Sequence, residues 1–428
     1  MPSEWEEISL DKALEINPSV KMERGKVYSF VDMQSVEAGY KFVEPQQKRE
    51  FKGSGSRFID GDTLMARITP CLENGKISKY RSKDDIPAHG STEFIVMRHR
   101  KNVTHPEFVY YLVISDIVKA YAISQMTGSS GRQRVPVDSL KHLTIKLPSI
   151  TEQKAIAQIL KALDDKIELN RKMCKALEDA GSAIFKSWFV DFDPVRAKEN
   201  EGELGDLSPD ILSLFPNSFT DSKIGDLPTG WDISVVYDWA EYINGAAYKN
   251  MHFSEEPDAL PVIKIAELKN GIGPGTKFTN TDLGDKYLLD TGDILFSWSG
   301  SPETSIDTFL WVDGKGWLNQ HIFKVVPKGS GTRAFCYFLL KHLKPTFIHI
   351  AKNKQTTGLG HVTVKDLKEL KVANPGKKLI NAFDEVINPI FTRIQEILEQ
   401  NAALAKTRDA LLPQLMSGEL RVEDVGEV

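Results

Sequence analysis

The chain has 428 residues, 41% hydrophobic and 26% charged, with a mean hydropathy of −0.29 and a formal net charge of −5, enough length for several domains with ample core. No apolar run approaches the ~20 residues that span a bilayer, and the opening MPSEWEEISL lacks the basic and apolar parts of a secretory signal, so a cytoplasmic protein is expected. Cys71, Cys174 and Cys336 lie far apart, which excludes a disulfide frame and a zinc site.

Residues 1–148 read as a globular region of short strands and a few helices. Strands are predicted at Lys26–Met33, at Thr63–Ile68 after a Gly61-Asp62 turn, and at Glu93–Arg98. Pro106–Ala122 reads as a helix, with Phe108, Tyr111, Leu112, Ser115, Val118 and Ala122 on one face. The segment Met126–Pro136, rich in Gly and Ser, reads as a flexible loop that ends on Arg132 and Arg134.

Residues 149–190 read as one long helix, roughly 60 Å at ~1.5 Å per residue. Pro148 bars helix before it, and Ser149 with Glu152 forms a capping-box pattern. Ile156, Leu163, Asn170, Leu177 and Ile184 fall seven apart; Ile159, Met173 and Ala180 fill a second seam position, and Leu160 and Ile167 widen the stripe. A seven-residue apolar repeat turns one helix face toward a partner helix. Asn170, polar within the seam, is a candidate register pin. Residues 191–228 are acidic and rich in Pro, Ser and Gly, and read as a linker.

The order then repeats over residues 229–375. Strands are predicted at Leu260–Leu268, at Ile294–Trp298 after Gly292-Asp293, and at His321–Val326; a helix is predicted at Arg333–Leu343 and a loop at Lys354–His361. Residues 376–420 form the second long helix, with Phe383, Ile390, Ile397, Leu404 and Leu411 in its seam, and 421–428 form a tail. Each of these seam residues lies 227 positions after its counterpart, as Pro375 does after Pro148 and Asn244 after Asn17. The predicted fold is therefore α+β. Two globular domains are joined by two long helices in an antiparallel coiled coil, pseudo-twofold and near-circular in topology.

Asn388-Pro389-Ile390-Phe391 resembles a methyltransferase tetrapeptide but lacks its second proline and lies inside the seam, so it reads as a structural bend. Asn270–Gly275 lacks the strand-loop-helix setting of a cofactor loop and reads as a turn. Asp258, Glu267 and Lys269 have the form of a metal-dependent nuclease site, the one catalytic alternative. The charge distribution favours binding instead. Residues 1–148 hold 22 Lys and Arg against 19 Asp and Glu, while residues 149–228 hold 10 against 15. Phosphate binding needs local cations rather than a basic total. Candidate DNA contacts are Arg57, Arg98, Arg132 and Arg134 in the first region and Lys352, Lys354, Gln355 and His361 in the second. Two readers on a rigid spacer would measure the distance between two short half-sites.

Leu147-Pro148, Glu152-Gln153, Ile159-Leu160, Leu163-Asp164, Ile167 and Asn170, then Phe185 and Trp188-Phe189-Val190-Asp191-Phe192, resemble the central conserved region of the specificity subunit of Type I restriction-modification enzymes. Leu411-Leu412-Pro413-Gln414-Leu415-Met416-Ser417-Gly418-Glu419-Leu420 resembles that family's distal region. Leu227-Pro228, Gly230-Trp231 and Gly292-Asp293-Ile294-Leu295-Phe296 resemble its target-recognition domains. The resemblance implies a non-catalytic DNA-binding subunit without a cofactor of its own. Residues 1–148 and 229–375 would be target-recognition domains 1 and 2, each reading half of an asymmetric bipartite site. The helical spacers 149–190 and 376–420 would dock two methylation subunits, which carry S-adenosylmethionine, and restriction subunits using ATP and Mg²⁺ would join them. Asn374-Pro375-Gly376-Lys377-Lys378 departs from the pattern, lacking the Glu-Gln pair at the start of the second helix.

Overall fold

The computed structural model describes residues 5–129, 131–199, 207–273, 275–355 and 358–422. Parts of the expected linker (200–206), of the two loops (130, 356 and 357), of the Asn270–Gly275 turn (274) and of the tail (423–428) lie outside the described residues. The chain forms two compact units, residues 1–169 with 403–428 and residues 170–402, whose boundary falls within both long helices.

In the first unit a five-stranded sheet runs in the order Leu14–Ile16, Phe94–His99, Thr63–Ala66, Ile77–Tyr80, Phe42–Val43. Its central strand Thr63–Ala66 is buried along its whole length because both faces are covered. Met65, Ile95 and Met97 pack with the helix Pro106–Ile114. Leu64, Phe94 and Val96 pack with Val31 and Phe58 of a second sheet, ordered Gln47–Glu50, Val27–Val31, Ala88–Gly90, Ser56–Phe58. The predicted helix over 106–122 is two helices, Pro106–Ile114 and Asp116–Ser124, because Ser115 is extended (ψ 154°) and turns its hydroxyl back to the Leu112 carbonyl at 2.7 Å.

The second unit has the same layers. A sheet ordered Ala240–Asn244, Ile322–Pro327, Ile294–Ser297, Asp307–Leu310 packs Ile294 and Phe296 with the helix Arg333–His342, and Leu295 with Ile263 and Leu318 of a second sheet. The strand predicted to reach Leu268 stops at Ile263, and Ile265–Asn270 is a helix. The reason is local: the Glu267 carboxylate accepts the Lys264 N–H at 3.0 Å and so satisfies a donor at that helix's first turn. The segment 191–228 carries helices Asp193–Glu199 and Pro209–Ser213 and a hairpin, Phe219–Ser222 with Gly225–Pro228; Val195, Phe215 and Leu227 are buried. Apolar residues inside an acidic, turn-rich composition are what the linker reading passed over.

The two long helices span Ile150–Phe189 and Lys377–Ser417, the second running unbroken through Pro389. They are antiparallel within each unit. In the first, Glu152 meets Arg421 and Asp164 meets Arg408; in the second, Asn170 meets Gln400 and Asn401, and Phe189 meets Phe383. The most buried row of the central helix is Gln153, Leu160, Ile167, Cys174, Gly181 and Trp188. The predicted set lies along its flank, with Ile156 and Asn170 buried and Leu163, Leu177 and Ile184 half-buried. On the distal helix Phe383 and Ile397 are buried and Ile390, Leu404 and Leu411 half-buried, while Ile380, Ile387, Ile394, Arg408 and Leu415 form the inner row. Counting apolar residues shifts the stripe sideways because several inner positions are polar and paired.

Those polar positions tie the helices to the first globular body. Gln153 accepts the His105 N–H at 2.8 Å and donates to the carbonyls of Val103 and Pro148. Glu152 accepts from the Trp5 indole at 3.0 Å and from Arg421, whose guanidinium lies over the Trp5 ring. Asp164 accepts from Arg408 at 2.8 Å and from the Tyr111 hydroxyl at 2.7 Å; Tyr111 in turn accepts from Lys41, which with Lys79 pairs with Glu107. At the start of the distal helix Asn374 replaces the missing Glu-Gln pair, donating to Ser234 Oγ at 2.9 Å and accepting the Gly376 N–H at 3.0 Å.

Two outcomes follow from this network. Arg408→Leu leaves Asp164 buried without its countercharge and lowers the stability of the first unit by about 3–5 kcal/mol in urea unfolding. Burial alone would raise the Glu107 carboxyl, but the Lys41 and Lys79 ammonium groups outweigh it and hold it at about 2, against an ordinary 4.5. A lowered folded-state pKa gives stability that is complete above pH 4.5 and is lost as pH falls toward 2. The urea midpoint of the wild type should therefore fall across that window, and Glu107→Gln should be less stable at pH 7 with a flatter acid limb.

Candidate nucleic-acid interface

Each unit builds its central strand from a Gly-Asp turn. Asp62, 1% exposed at its side chain, accepts the Ile59 N–H at 2.8 Å and receives a two-pronged bond from Arg98 at 2.6 and 2.7 Å. Asp293 accepts the Asp290 N–H at 2.9 Å and pairs with Lys324 at 2.8 Å. Arg98, expected as a DNA contact, is thus engaged in the fold, and Lys324 does the same work in the second unit. Charge read in one dimension carries no sign of this, because the carboxylate partner lies 36 residues away.

The two loops are tied more closely than their composition predicts. In the first, Thr127 and Arg134 exchange backbone bonds at 2.9 and 3.0 Å, with Gly128 and Gly131 taking positive φ between them. The Arg134 guanidinium forks onto Glu93 at 2.8–3.0 Å, and Arg132 is exposed beside it. Arg57 lies elsewhere in the unit, its guanidinium 4.9 Å from the centre of the Phe51 ring. In the second loop Lys354 pairs with Asp366 at 2.5 and 2.7 Å, Lys352 pairs with Glu303 at 2.7 Å, Gln355 donates to the Gly358 carbonyl at 2.6 Å, and His361 pairs through its backbone with Ser299. Arg132 and Arg134 stand on one loop, whereas Lys354, Gln355 and His361 each have a different partner; Arg98, Arg134, Lys352 and Lys354 are all paired with carboxylates.

Sequence reasoning missed Trp298. Its ring centroid lies 5.2 Å from that of His321 and 5.6 Å from that of Phe323, and its indole N–H donates to Asn244 Oδ1 at 2.9 Å. Trp298 is the last residue of the strand predicted over Ile294–Trp298 and lies just past the observed strand Ile294–Ser297, where it is half-buried. A recess of about 420 Å³ beside Asp293 is lined by Lys286, Lys324 and Arg333.

The nuclease alternative has no geometry behind it. Glu267 is 6% exposed, and its two oxygens accept from the Lys264 N–H and the Thr276 hydroxyl, each at 3.0 Å. Asp258 accepts from Asn280 at 3.0 Å. Among the described residues no three His, Cys, Asp or Glu side chains stand where they could hold one metal ion.

The family model of the Type I restriction modification DNA specificity domain matches the chain twice, over residues 2–179 and 228–403. The chain belongs to the specificity-subunit family of Type I restriction-modification enzymes. It is 26% identical to the Type I restriction enzyme HindI specificity subunit of Haemophilus influenzae, over 87% of this chain and 89% of that one. It is 25% identical to the MjaIX specificity subunit of Methanocaldococcus jannaschii, over 74% and 70%. A Type I restriction-modification S subunit from M. genitalium covers 96% of each chain with a TM-score of 0.46 at 14% identity. As a specificity subunit the protein recognises DNA for a Type I complex and is its non-catalytic member. No helix among the described residues is long and apolar enough to cross a membrane.

Proposed function

We propose that residues 1–148 and 229–375 are the two target-recognition domains and that each reads one half of an asymmetric, bipartite DNA site in the cytoplasm. The helical spacers 149–190 and 376–420 set the distance between the halves and dock two methylation subunits, to which restriction subunits add. S-adenosylmethionine, ATP and Mg²⁺ belong to those partners, and the methyl group goes to adenine. The observation that carries this reading is the repetition of one layered frame, with its Gly-Asp turn and its loop, in two units whose loop residues differ.

Within the first domain Arg132 and Arg134 are the loop cations placed to meet DNA, with Arg57 as a separate phosphate contact; Lys352, Gln355 and His361 serve the second. Arg98 and Lys354 support the reading surface through Asp62 and Asp366. Arginine contacts phosphates by charge and guanine by its fork.

The test is the methylome of a host making the chain with its methylation subunit. Adenine methylation at one split motif is expected. Changing Arg132 and Arg134 together to alanine should weaken or relax one half of that motif and leave the other half as it was. Relaxation of both halves would count against a modular first loop.

A further inference from the structure

Each unit contains the same backbone junction at the end of its central strand. Arg67 follows Thr63–Ala66; its N–H donates to the Glu93 carbonyl at 2.9 Å, and its carbonyl accepts from the Val135 N–H at 2.8 Å. Trp298 follows Ile294–Ser297; its N–H donates to the His321 carbonyl at 3.2 Å, and its carbonyl accepts from the Val362 N–H at 2.8 Å. One residue further, Ile68 bridges to Arg134 and Ser299 pairs with His361. Backbone bonding alone therefore matches Arg67 with Trp298, Glu93 with His321 and Arg134 with His361. The last pair is separated by 227 residues, the same interval as the helical seams.

The side chains on this shared backbone have nothing in common. In the first unit Arg134 forks onto Glu93, and the Nε of Arg67 has no acceptor among the described residues. These matched positions carry two arginines and one glutamate. In the second unit the Trp298 indole, oriented by Asn244, packs with the His321 imidazole, and His361 stands at the third matched position. The Gly-Asp turn that begins the same strand keeps its chemistry in both units, an aspartate paired with a cation of the adjoining strand. The glycine and the aspartate are retained, the cation comes from a position two residues away on the adjoining strand, and the three residues at the strand's other end are replaced as a set.

We propose that this junction is the base-reading site of each recognition domain, a refinement that rests on the half-site reading above. Guanidinium groups and a carboxylate suit a G·C pair, arginine to guanine O6 and N7 and glutamate to cytosine N4. The indole and imidazoles offer an apolar face for a thymine methyl group and single hydrogen bonds, which suit an A·T pair. The first domain's half-site thus contains a G·C pair read by Arg67, Glu93 and Arg134, and the second domain's half-site a thymine read beside Trp298, His321 and His361.

The test is methylome sequencing of the complex with Arg67→Lys plus Glu93→Gln, and separately with Trp298→Leu plus His361→Gln. The first pair should relax a G·C position of one half by roughly tenfold or more, and the second an A·T position of the other half only. An unchanged motif, or both pairs acting on the same half, would overturn the proposal. If a double variant methylates nothing, the single variants Arg67→Lys and Trp298→Phe are used, with purified complex titrated against duplexes carrying each single-base change. Equal weakening on every duplex would assign these residues to general affinity and end the proposal; weakening confined to one half supports it. A wild-type complex with no split motif would instead refute the half-site reading itself, so the two failures are distinguishable.

Discussion

Asp164 and Arg408 meet in the seam between the two long helices, where water is excluded and each charge depends on the other. Burial works against the guanidinium, yet the adjoining carboxylates hold its pKa above the ordinary arginine value. A buried pair of this kind adds little to stability beyond what apolar residues would give, but losing one partner is costly, so it discriminates strongly between registers. Slide either helix by a turn and a charge is stranded. Because Asp164 also takes the Tyr111 hydroxyl, and Tyr111 the Lys41 ammonium, the same constraint fixes how the first globular body sits on its helices. Glu152 and Gln153 extend it to the start of the chain and to the loop before Pro106–Ile114.

The second unit solves the same problem without buried charge. Asn170, fully buried, donates to Gln400 and Asn401 at 2.7 and 2.9 Å, and an aromatic group of Phe185, Trp188, Phe189, Phe335 and Phe383 fills the rest of the seam. Gly181 matters here for a steric reason: a Cβ at that position would overlap the Phe338 ring, so the helix can approach only as glycine. Burial pushes the thiols of Cys174 and Cys336 up to about 12, which keeps them as inert packing groups.

The repeat, the two long helices and the Gly-Asp strands were legible because period and spacing survive in one dimension. What the sequence hid was pairing. Arg98 looks like a surface cation until Asp62 is seen against it, and Glu267 looks like a metal ligand until its oxygens are seen on Lys264 and Thr276. The seam was placed one flank away for the same reason, since Gln153, Asp164 and Arg408 are polar and only their partners make them interior. The fold of 191–228 was obscured by acidic composition around a few buried apolar anchors.

One backbone frame, repeated, that carries different side chains at matched positions is what a modular reader requires. Exchanging residues 1–148 for the corresponding region of another specificity subunit, and sequencing the methylome, tests this most directly. The account predicts a new split motif with one half altered and the other half and the spacing retained. A change in both halves would contradict it.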